Sequence, residues 1–439
     1  MPSYDFTIAN LGRRGIASPI KLSKVMDDFV ANYVNDDERV IYDIELSGQP
    51  VARTYESRDL LEKAGPREQI YFDPAKARAA IVTCGGLCPG LNDVIRSIVM
   101  CLWYKYGVRN ISGIRFGYRG LVPEYGIPTM ELNPGAVEQI HRDGGTILGS
   151  SRGAGNRTRE IVDSLERMNL SMLFAIGGDG TQKGALAIAD EAEQRGYKLA
   201  VIGIPKTIDN DLSFVQKSFG LETAVSVAVD AVSAAHTEAH DAINGIGIVQ
   251  VMGRESGFIA AHTTLANSDV NFVLVPEVPF DLEGENGLLS HLEHRLARRN
   301  HAVILVAEGA GQDLMASSGM TDLSGNKKLA DVGLFLKEKV AAHFREKGTE
   351  INLKYIDPSY IIRSAPANPN DSLYCLRLGT NAAHAAMAGK TKMLIGRINY
   401  HFVHVPIELA VSRRNRVNPE SSLWRDVMDA TGQPPLMKN

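Results

Sequence analysis

The chain has 439 residues, of which 44% are hydrophobic and 22% are charged; this is the composition of a soluble globular protein, and the length predicts two or three domains. Its 47 lysines and arginines stand against 51 acidic residues, and a net charge of -4 gives no general attraction to nucleic acid or anionic lipid. No apolar run approaches the ~20 residues of a membrane helix, and neither end shows a targeting signal, so we expect a cytoplasmic protein without nucleic-acid or membrane partners.

Residues 1–75 differ in character from the rest of the chain. They are charged and irregular, with a predicted helix over residues 21–33 and a predicted strand over residues 40–46. A regular pattern begins only near Ala79. We therefore expect residues 1–75 to form an N-terminal extension.

From Ala79 onward, short apolar strands, glycine-bearing turns and amphipathic helices follow one another. The predicted strands are Ala79–Thr83, Ile111–Arg115, Met172–Ile176, Ala200–Ile204, Gly247–Val251, Phe272–Pro276, Ala302–Ala307 and Lys392–Ile398. The predicted helices include Asn92–Tyr104, Gly184–Arg195, Glu222–His240 and Leu329–Lys347. Strands that alternate with helices predict βαβ units and an α/β fold with largely parallel sheets. Ligands of such sheets bind beyond the carboxyl ends of the strands, where nearly every glycine-rich or charged motif of this chain falls.

Neither the cysteines nor the histidines indicate a metal site. The four cysteines, at positions 84, 88, 101 and 375, include no second pair with ligand spacing, so we interpret them as free thiols in a reducing compartment. The histidines, among them His236 and His240, show no metal spacing and are interpreted as surface or packing residues.

The first glycine-rich turn, residues 84–92, follows one strand and enters a helix. Its glycines, Gly85 and Gly86 among them, allow close approach of a ligand, and a helix N-terminus offers free N–H groups to phosphate. A purely structural strand–helix turn remains the alternative. The loop at 149–153 adds Arg152 and Gly153, whose guanidinium and flexible backbone suit a phosphate, although a solvated surface loop explains them equally well.

The run Gly177-Gly178-Asp179-Gly180-Thr181 also ends a strand and precedes a helix. Three glycines around an Asp are rarely needed by a structural turn, so the run indicates a site for nucleotide phosphate and Mg²⁺. Closely similar runs occur in NAD kinases and lipid kinases, so this run does not name the enzyme.

The sharpest motif is Pro205-Lys206-Thr207-Ile208-Asp209-Asn210-Asp211, which follows another strand. Thr207 and Lys206 can donate to a transferring phosphoryl group, and Asp209 can accept a hydroxyl proton. A hydrogen-bonded loop capped by the two aspartates is the alternative. We predict phosphoryl transfer to an alcohol, and we expect folding to bring Asp179 and Asp209 to opposite sides of one cleft.

Three later motifs again stand at strand ends. Met252-Gly253-Arg254 follows one strand, Glu308 follows another, and Tyr360-Ile361-Ile362-Arg363 lies further on. Together they offer a carboxylate for sugar hydroxyls and two arginines for a substrate phosphate, although each alone has a structural explanation.

In their order, these motifs resemble those of the phosphofructokinase family, over residues 79 to about 412. The extension, with Ala64-Gly65-Pro66-Arg67 and Tyr71-Phe72-Asp73-Pro74, resembles the pyrophosphate-related branch of the family, which includes ATP-using members. The resemblance implies two Rossmann-like α/β lobes with the active site between them. It assigns residues 76–221 with 362–412 to a nucleotide-binding lobe, and residues 222–361 with 413–439 to a sugar-phosphate-binding lobe.

The resemblance also implies a role for each motif residue. Asp209 is implied as the general base on the 1-hydroxyl of fructose 6-phosphate, with Thr207, Arg254 and Lys206 stabilising the phosphoryl group. Asp179 is implied as the Mg²⁺ ligand. The residues implied on the ATP side are Gly85, Gly86, Arg152, Gly153, Gly178, Asp179, Gly180 and Thr181. The residues implied to bind the sugar phosphate are Thr207, Ile208, Asp209, Met252, Gly253, Arg254, Glu308, Tyr360, Ile361, Ile362 and Arg363.

Two positions indicate which phosphoryl donor is used, and two others concern the contacts between subunits. Pyrophosphate users of the family usually have Asp where this chain has Gly180, and glycine leaves room for the α-phosphate of ATP. Lys206, by contrast, is typical of pyrophosphate users. We give Gly180 more weight because an obstruction excludes ATP outright, and we predict ATP as the donor. Gly245 and Lys354 stand where bacterial relatives use arginines of a neighbouring subunit, so a homo-oligomer, dimer or tetramer, is expected with different contacts.

Three alternatives stay open on the sequence. A pyrophosphate-dependent phosphofructokinase is the nearest. An NAD or lipid kinase explains the 177–181 run but gives no role to residues 205–211 or 252–257. A catalytically silent regulatory subunit would be expected to lack Asp179 or Asp209, and both are present.

Overall fold

The computed structural model describes residues 4–45, 54–316, 319–321 and 328–439. The chain divides into two compact units. Unit 1 consists of Met1–Thr207, Leu212–Gly220 and Pro366–Arg413, and unit 2 consists of Ile208–Asp211, Leu221–Ala365 and Arg414–Asn439. The chain therefore passes from unit 1 to unit 2 within the 205–211 motif, between Thr207 and Ile208.

The strands and helices follow in chain order. The strands are β1 (Ala9–Asn10), β2 (Ile16–Ala17), β3 (Arg39–Val40), β4 (Leu61–Lys63), β5 (Gln69–Ile70), β6 (Arg78–Thr83), β7 (Asn110–Ile114), β8 (Met130–Glu131), β9 (Met172–Gly177), β10 (Ala200–Pro205), β11 (Gly245–Val251), β12 (Phe272–Leu274), β13 (His301–Ala307), β14 (Asn352–Ile356), β15 (Lys390–Thr391), β16 (Met393–Ile398) and β17 (His401–Pro406). The helices are α1 (Leu91–Met100), α2 (Pro134–Val137), α3 (Thr158–Arg167), α4 (Asp179–Gln194), α5 (Leu221–His240), α6 (Phe258–Ala266), α7 (Leu288–Arg299), α8 (Val332–Glu346), α9 (Ser359–Ser364), α10 (Pro369–Met387), α11 (Ile407–Ala410) and α12 (Ser422–Thr431).

Unit 1 is built on a nine-stranded sheet in the order β3-β4-β17-β16-β10-β9-β6-β7-β8. Its centre, from β16 to β7, is parallel, whereas β17, β4, β3 and β8 pair antiparallel. Every residue of β9 and of β10 is buried, as expected for central parallel strands whose two faces are both covered. The α/β architecture predicted from the sequence is confirmed.

The N-terminal residues extend this sheet. Strands β3 and β4 continue it beyond β17, while β1 pairs with β15 and β2 pairs with β5. The predicted helix over residues 21–33 is wrong, because these residues form turns and an isolated bridge between Ser23 and Asn32. The predicted strand over residues 40–46 is mostly wrong: only Val40 is extended within β3, residues 41–45 are not strand, and Leu46 lies outside the described residues.

Unit 2 has a four-stranded sheet in the order β12-β13-β11-β14, and all its pairings are parallel. Its core unites apolar residues of β11, β12 and β13 with those of α7 and α8, such as Ile248, Ile304, Leu292 and Leu336. Helix α5 packs on β11, β13 and β14.

The predicted strands of the regular region are confirmed to within two residues at their ends. Helix α4, however, begins at Asp179 and not at Gly184, so Asp179, Gly180 and Thr181 form its first turn. None of the helices among the described residues has the length and apolar character needed to cross a bilayer. All four cysteines lie in described stretches, where they are buried and form no disulfide.

Candidate active site

In unit 1, the predicted nucleotide motifs meet at one edge of the sheet. The register pairs Thr83 of β6 with Ile176 of β9, and Gly177 of β9 with Pro205 of β10. The turns that follow these three strands are therefore neighbours. The backbone N–H of Cys84 donates to the Ile176 carbonyl (3.0 Å), which extends the pairing of β6 with β9 into the first turn.

The loop that carries Arg152 is fastened to the first glycine turn. The N–H of Gly85 donates to the Ser151 carbonyl (3.0 Å), and the Ser150 hydroxyl donates to the Gly85 carbonyl (2.6 Å). The structure thus brings Gly85, Gly86, Arg152 and Gly153 into one neighbourhood of unit 1. Arg157 lies further along, and its guanidinium is bound by Glu160 and Glu124, so it is engaged with carboxylates and is not available for a phosphate.

The third motif places a carboxylate in the first turn of α4. Gly178 is the N-cap residue, and Asp179 forms an ion pair with Lys183 one turn later (3.0 Å), with 16% of the Asp179 side chain exposed. The start of α4 therefore combines the positive end of a helix dipole, which favours anions, with an oxygen ligand that suits a hard cation.

Gly180 stands next to unoccupied space. A Cβ atom added to it would have no heavy atom of the described residues within 4 Å. Glycine is therefore not required here by packing, and its φ does not lie in the left-handed region. A side chain at position 180 would extend into the space beside the glycine-rich turns.

Lys206 and Thr207 follow β10 at the same edge. Lys206 is buried, and its ammonium group donates to the Gly86 carbonyl (2.6 Å), which joins the 205–211 motif to the first glycine turn. The N–H of Thr207 donates to the hydroxyl of the buried Ser218 (3.0 Å), which fixes the backbone just before the chain enters unit 2.

Sequence reasoning missed Gln182, which links two of these motifs. Its buried side-chain amide donates to the carbonyl groups of Ala175, Gly177 and Ile204 at 2.9–3.2 Å, at the ends of β9 and β10. In the sequence, the only sign of this role is that a polar glutamine stands at a position of the helix where the pattern predicts a buried side chain. Its acceptors lie on two strands, so the pairing could not be read from spacing.

In unit 2, the predicted sugar-phosphate motifs also gather at strand ends. Val251 of β11 pairs with Ala307 of β13, so Met252-Gly253-Arg254 and Glu308 emerge side by side. Strand β14 pairs with the other edge of β11 and leads into α9, which carries Tyr360, Ile361, Ile362 and Arg363.

Two glycines allow the turns after β11 and β13 to approach closely. Gly253 has a φ of +134°, and a Cβ there would lie 2.5 Å from the Ser256 carbonyl oxygen. A Cβ on Gly309 would lie 2.0 Å from the carbonyl oxygen of Arg254, whereas in the structure the Gly309 N–H donates to the Gly253 carbonyl (3.1 Å). This contact holds Glu308 beside Arg254.

Asp209 is the most perturbed carboxyl group of the motifs. Burial is the main cause that raises its pKa to about 7, together with the carboxylates of Asp211 and Glu308 and against the backbone N–H and the charge of Arg254, which lower it. Its Oδ1 atom is buried and has no hydrogen-bond partner among the described residues. The buried Ser256 hydroxyl donates to the Asp209 carbonyl (2.7 Å) and so positions the residue. A carboxylate near neutrality with one unpaired oxygen is suited to accept a proton.

The remaining predicted residues differ in exposure. Burial raises the pKa of Glu308, and Arg254 and Arg363 oppose this rise. Tyr360 and Ile361 are exposed, and the Arg363 guanidinium stacks over the Tyr360 ring at 4.9 Å. Ile362 is fully buried, so its side chain serves the core.

Residues near the C-terminus that the sequence did not single out also hold this region of unit 2. Arg414 forms an ion pair with Asp211 (2.7 Å), and the Asn415 amide donates to the Asn210 carbonyl (3.0 Å). Oε1 of Glu277 accepts from the N–H groups of Gly257 (2.9 Å) and Val417 (2.7 Å). Gly257 and Glu277 are 20 residues apart, whereas the partners of Arg414, Asn415 and Val417 are at least 140 residues away in sequence, so local patterns could not reveal them.

Among the described residues, no three His, Cys, Asp or Glu side chains are already arranged around a common metal position. The role of Asp179 as a Mg²⁺ ligand stays a prediction. Asp179 belongs to unit 1 and Asp209 to unit 2, and their predicted meeting across one cleft stays a prediction as well.

Glycine-rich turns beyond parallel strands, together with a buried carboxylate of near-neutral pKa, are typical of α/β phosphotransferases. The comparison with known proteins is more specific. The model of the phosphofructokinase family, described as "Phosphofructokinase", matches residues 78–386. The chain belongs to the phosphofructokinase family.

Curated relatives resemble the chain over nearly its whole length. An ATP-dependent 6-phosphofructokinase of Borreliella burgdorferi is 57% identical over 100% of this chain and 98% of its own length. An ATP-dependent 6-phosphofructokinase of Trypanosoma cruzi is 44% identical over 97% of this chain and 87% of its own.

A solved structure supports the fold alone. The pyrophosphate-dependent phosphofructokinase of Nitrosospira multiformis superimposes with a TM-score of 0.68 at 20% identity, covering 83% of this chain and 93% of its own. At that identity the match says nothing about the phosphoryl donor.

Proposed function

We propose that this protein transfers the γ-phosphate of ATP to the 1-hydroxyl of fructose 6-phosphate, giving fructose 1,6-bisphosphate and ADP in glycolysis. The observation that carries the proposal is the Asp209 carboxylate, which has a pKa of about 7 and one unpaired buried oxygen. A base of this pKa is half-ionised near neutral pH and can take the proton of an alcohol.

The atoms of the reaction balance. Asp209 accepts the proton of the 1-hydroxyl while the oxygen of that hydroxyl forms a bond to the γ-phosphorus. The bond between the γ-phosphorus and the bridging oxygen breaks, and ADP leaves. The backbone N–H of Arg254 donates to the Asp209 carboxylate and holds it in place, while the Arg254 guanidinium, Thr207 and Lys206 stabilise the charge on the phosphoryl group.

ATP is the proposed donor. The relatives of 44–57% identity named above are ATP-dependent enzymes, and Gly180 adjoins open space that a carboxylate would fill with bulk and charge. Lys206 does not argue strongly for pyrophosphate, because its ammonium group is held by the Gly86 carbonyl. The residues proposed to bind ATP are Gly85, Gly86, Arg152, Gly153, Gly178, Asp179, Gly180 and Thr181.

Asp179 is the proposed ligand of the Mg²⁺ ion that accompanies ATP. Its carboxylate stands in the first turn of α4, where it forms an ion pair with the exposed Lys183, and carboxylate oxygens are ligands that a hard cation prefers. The ion, when bound, neutralises phosphate charge.

The acceptor side belongs to unit 2. Glu308 is proposed to bind sugar hydroxyls, and Arg254 and Arg363 to bind anionic oxygens. Met252, Gly253, Tyr360, Ile361 and Ile362 complete the proposed surroundings of the sugar phosphate, with Ile362 acting through the packing of α9.

A homo-oligomer, a cytoplasmic location and allosteric regulation are also part of the proposal. A cavity of about 350 Å³ in unit 2 supports regulation by a small anion, since its lining includes His291, His294, Arg295, Arg298 and Arg299. With inorganic phosphate as the probe, any effect on the fructose 6-phosphate saturation curve that arises from this cavity should be lost in Arg298→Ala. An unchanged response in that variant would remove the cavity from the proposal.

A coupled assay tests the main proposal. Purified protein is supplied with fructose 6-phosphate and Mg²⁺, and then with ATP or with pyrophosphate. We expect turnover with ATP and little with pyrophosphate. Turnover with pyrophosphate alone would establish the nearest alternative, and activity only on NAD or a lipid would overturn the assignment.

A further inference from the structure

Three histidines of unit 2 come together at the end of the sheet opposite to the proposed active site. His236 and His240 lie one turn apart in the last part of α5, and His301 is the first residue of β13. Helix α5 packs against β13, and this packing unites side chains that the sequence leaves apart. Glu308 follows the other end of β13, which as a seven-residue strand is about 20 Å long.

The spacing of the three rings is that of ligands around one ion. The ring centres lie 5.8 Å apart for His236 and His240, 5.2 Å for His236 and His301, and 5.3 Å for His240 and His301. With Zn–N bonds of about 2.0 Å and tetrahedral angles, the centres of two ligating imidazoles lie about 5 Å apart.

Each imidazole also has an oxygen beside one of its two nitrogens. Nδ1 of His301 lies 3.0 Å from the Arg299 carbonyl oxygen, and Nδ1 of His240 lies 3.1 Å from a carboxylate oxygen of Asp241. Nε2 of His236 lies 3.9 Å from a carboxylate oxygen of Asp269. Histidines that bind metals usually donate their second ring N–H to such an oxygen, which leaves the other nitrogen for the metal.

The second ring nitrogen of His236 is the strongest indication that a ligand belongs at this cluster. Its Nδ1 is buried and has no hydrogen-bond partner among the described residues. A buried polar atom without a partner is unfavourable, and a metal ion would satisfy it.

The charges nearby are mixed. Asp269 and Asp241 favour a cation, whereas Arg295, whose Nε donates to the His301 carbonyl (3.1 Å), opposes one.

We propose that His236, His240 and His301 bind one divalent transition-metal ion such as Zn²⁺, with water as the fourth ligand. As the structure stands, no group of three His, Cys, Asp or Glu side chains among the described residues is placed to hold a metal ion, so the proposal requires the rings to turn about their Cβ–Cγ bonds when the ion binds. His240, which is exposed, has the freedom to do so. The bound ion ties the end of α5 to the start of β13.

Calorimetric titration of the full chain with ZnCl₂ alone tests this proposal, after removal of metals with a chelator and without nucleotide. We expect one Zn²⁺ per chain in the wild type. In His240→Gln and in His301→Gln, the affinity should fall by at least about tenfold, since even the loss of an outer partner costs 10- to 100-fold. His401→Gln, at the exposed first position of β17, is the matched control and should bind like the wild type.

Two further measurements guard against misfolded variants and other sites. The melting temperature without metal should be unchanged in His240→Gln, because this side chain is exposed, and Zn²⁺ should raise the melting temperature of the wild type but not of this variant. Co²⁺ should give the visible absorption of a tetrahedral site only in the wild type and the control. Equal Zn²⁺ affinity in the wild type and in both ligand variants, or no binding at all, would overturn the proposal.

Discussion

A carboxyl group that is buried beside other acids, as Asp209 is, costs stability when it ionises. Its pKa of about 7 lies about three units above that of an unfolded chain, which corresponds to up to about 4 kcal/mol. The folded state binds more protons than the unfolded state between about pH 4 and pH 7, so this contribution to stability decreases as the pH rises through that window. The burial that raises the pKa of Asp209 to a value suited to catalysis therefore lowers the stability of the folded state once this carboxyl is ionised.

Asp209→Asn tests the catalytic role of this residue. Because a positioned base is lost, kcat should fall on the order of 10²- to 10⁴-fold with a modest change in KM. In the wild type, kcat/KM should rise with pH and level off above about pH 7, since the ionised form is active. The variant should lose this rise. Near-normal turnover in Asp209→Asn would show that another group is the base.

The same variant has an expected effect on stability. Above pH 7, Asp209→Asn should unfold at a higher temperature than the wild type, because it removes a desolvated charge. Near pH 4 the difference should disappear. Melting curves at both pH values measure the effect, and a variant less stable than the wild type at pH 8 would contradict the assigned pKa.

Gly180 decides the donor in our proposal. Gly180→Asp should abolish ATP turnover without lowering the melting temperature, since the added side chain enters open space. Gly180→Ala is the control and should keep both activity and stability. An aspartate variant with unchanged ATP kinetics would remove the steric and electrostatic argument.

At the scale of elements, the motifs hold their positions through contacts between strand ends and helices. Gln182 of α4 binds the carbonyl groups at the ends of β9 and β10, and Gly309 allows the turn after β13 to reach the turn after β11. Neither residue needs to touch a substrate to matter.

Gln182→Met removes the buried donor while keeping the side-chain shape. The free energy of unfolding should decrease by about 1–3 kcal/mol, because the strand-end carbonyls lose their partner. Gln194→Met, at an exposed position of the same helix, should have little effect. Urea denaturation of both variants measures the difference, and equal stability would mean that the amide contacts contribute nothing.

Gly309→Ala should displace the Arg254 turn, since its Cβ would lie 2.0 Å from the Arg254 carbonyl oxygen. We expect kcat/KM to decrease more than tenfold, which corresponds to a loss of more than about 1.4 kcal/mol of transition-state stabilisation. Gly15→Ala, whose Cβ meets no described atom within 4 Å, is the control. Wild-type kinetics in Gly309→Ala would show that the turn adapts freely.

At the scale of the whole molecule, a buried charge network joins the extension to the rest of unit 1. The Glu62 carboxylate binds Arg67 (2.9 Å) and Lys390 (2.7 Å), and His404 lies 3.2 Å away. Burial by itself would raise the pKa of the Glu62 carboxyl, but the contact with His404 and, after it, the contact with Lys390 hold this pKa well below its usual range; burial lowers the pKa of His404 to about 4. Both groups therefore make a contribution to stability that is lost on acidification. The contribution of His404 is lost as the pH falls from the usual pKa of histidine to about 4, and that of Glu62 is lost as the pH falls below the usual pKa of glutamate.

Glu62→Gln should destabilise unit 1 by about 3–5 kcal/mol, because it leaves the buried Lys390 without its anion and Arg67 with Asp36 alone. Glu38→Gln, which breaks a more exposed pair with Lys63, should cost less than about 1 kcal/mol. Chemical denaturation at pH 7.5 distinguishes the two. A Glu62→Gln protein as stable as the wild type would mean that the extension is held mainly by its strands.

The sequence by itself determined the α/β class, the strands of the regular region and the motifs at their carboxyl ends. Apolar strand patterns, glycine turns and charged residues such as Asp179 and Asp209 are local features, and local features can be identified from the sequence without knowledge of the tertiary contacts. The sequence failed for residues 21–33, where an apparent helical pattern is overridden by turns, and for the true start of α4 at Asp179.

Only the tertiary structure decided which distant residues share a site. Lys206 with Gly86, Arg414 with Asp211, and His301 with His236 and His240 are separated by long stretches of chain. The raised pKa of Asp209 is a tertiary property too, since it depends on burial and on Glu308. Such contacts are set by the packing of whole strands and helices, and the free energy of that packing is not encoded in any short segment.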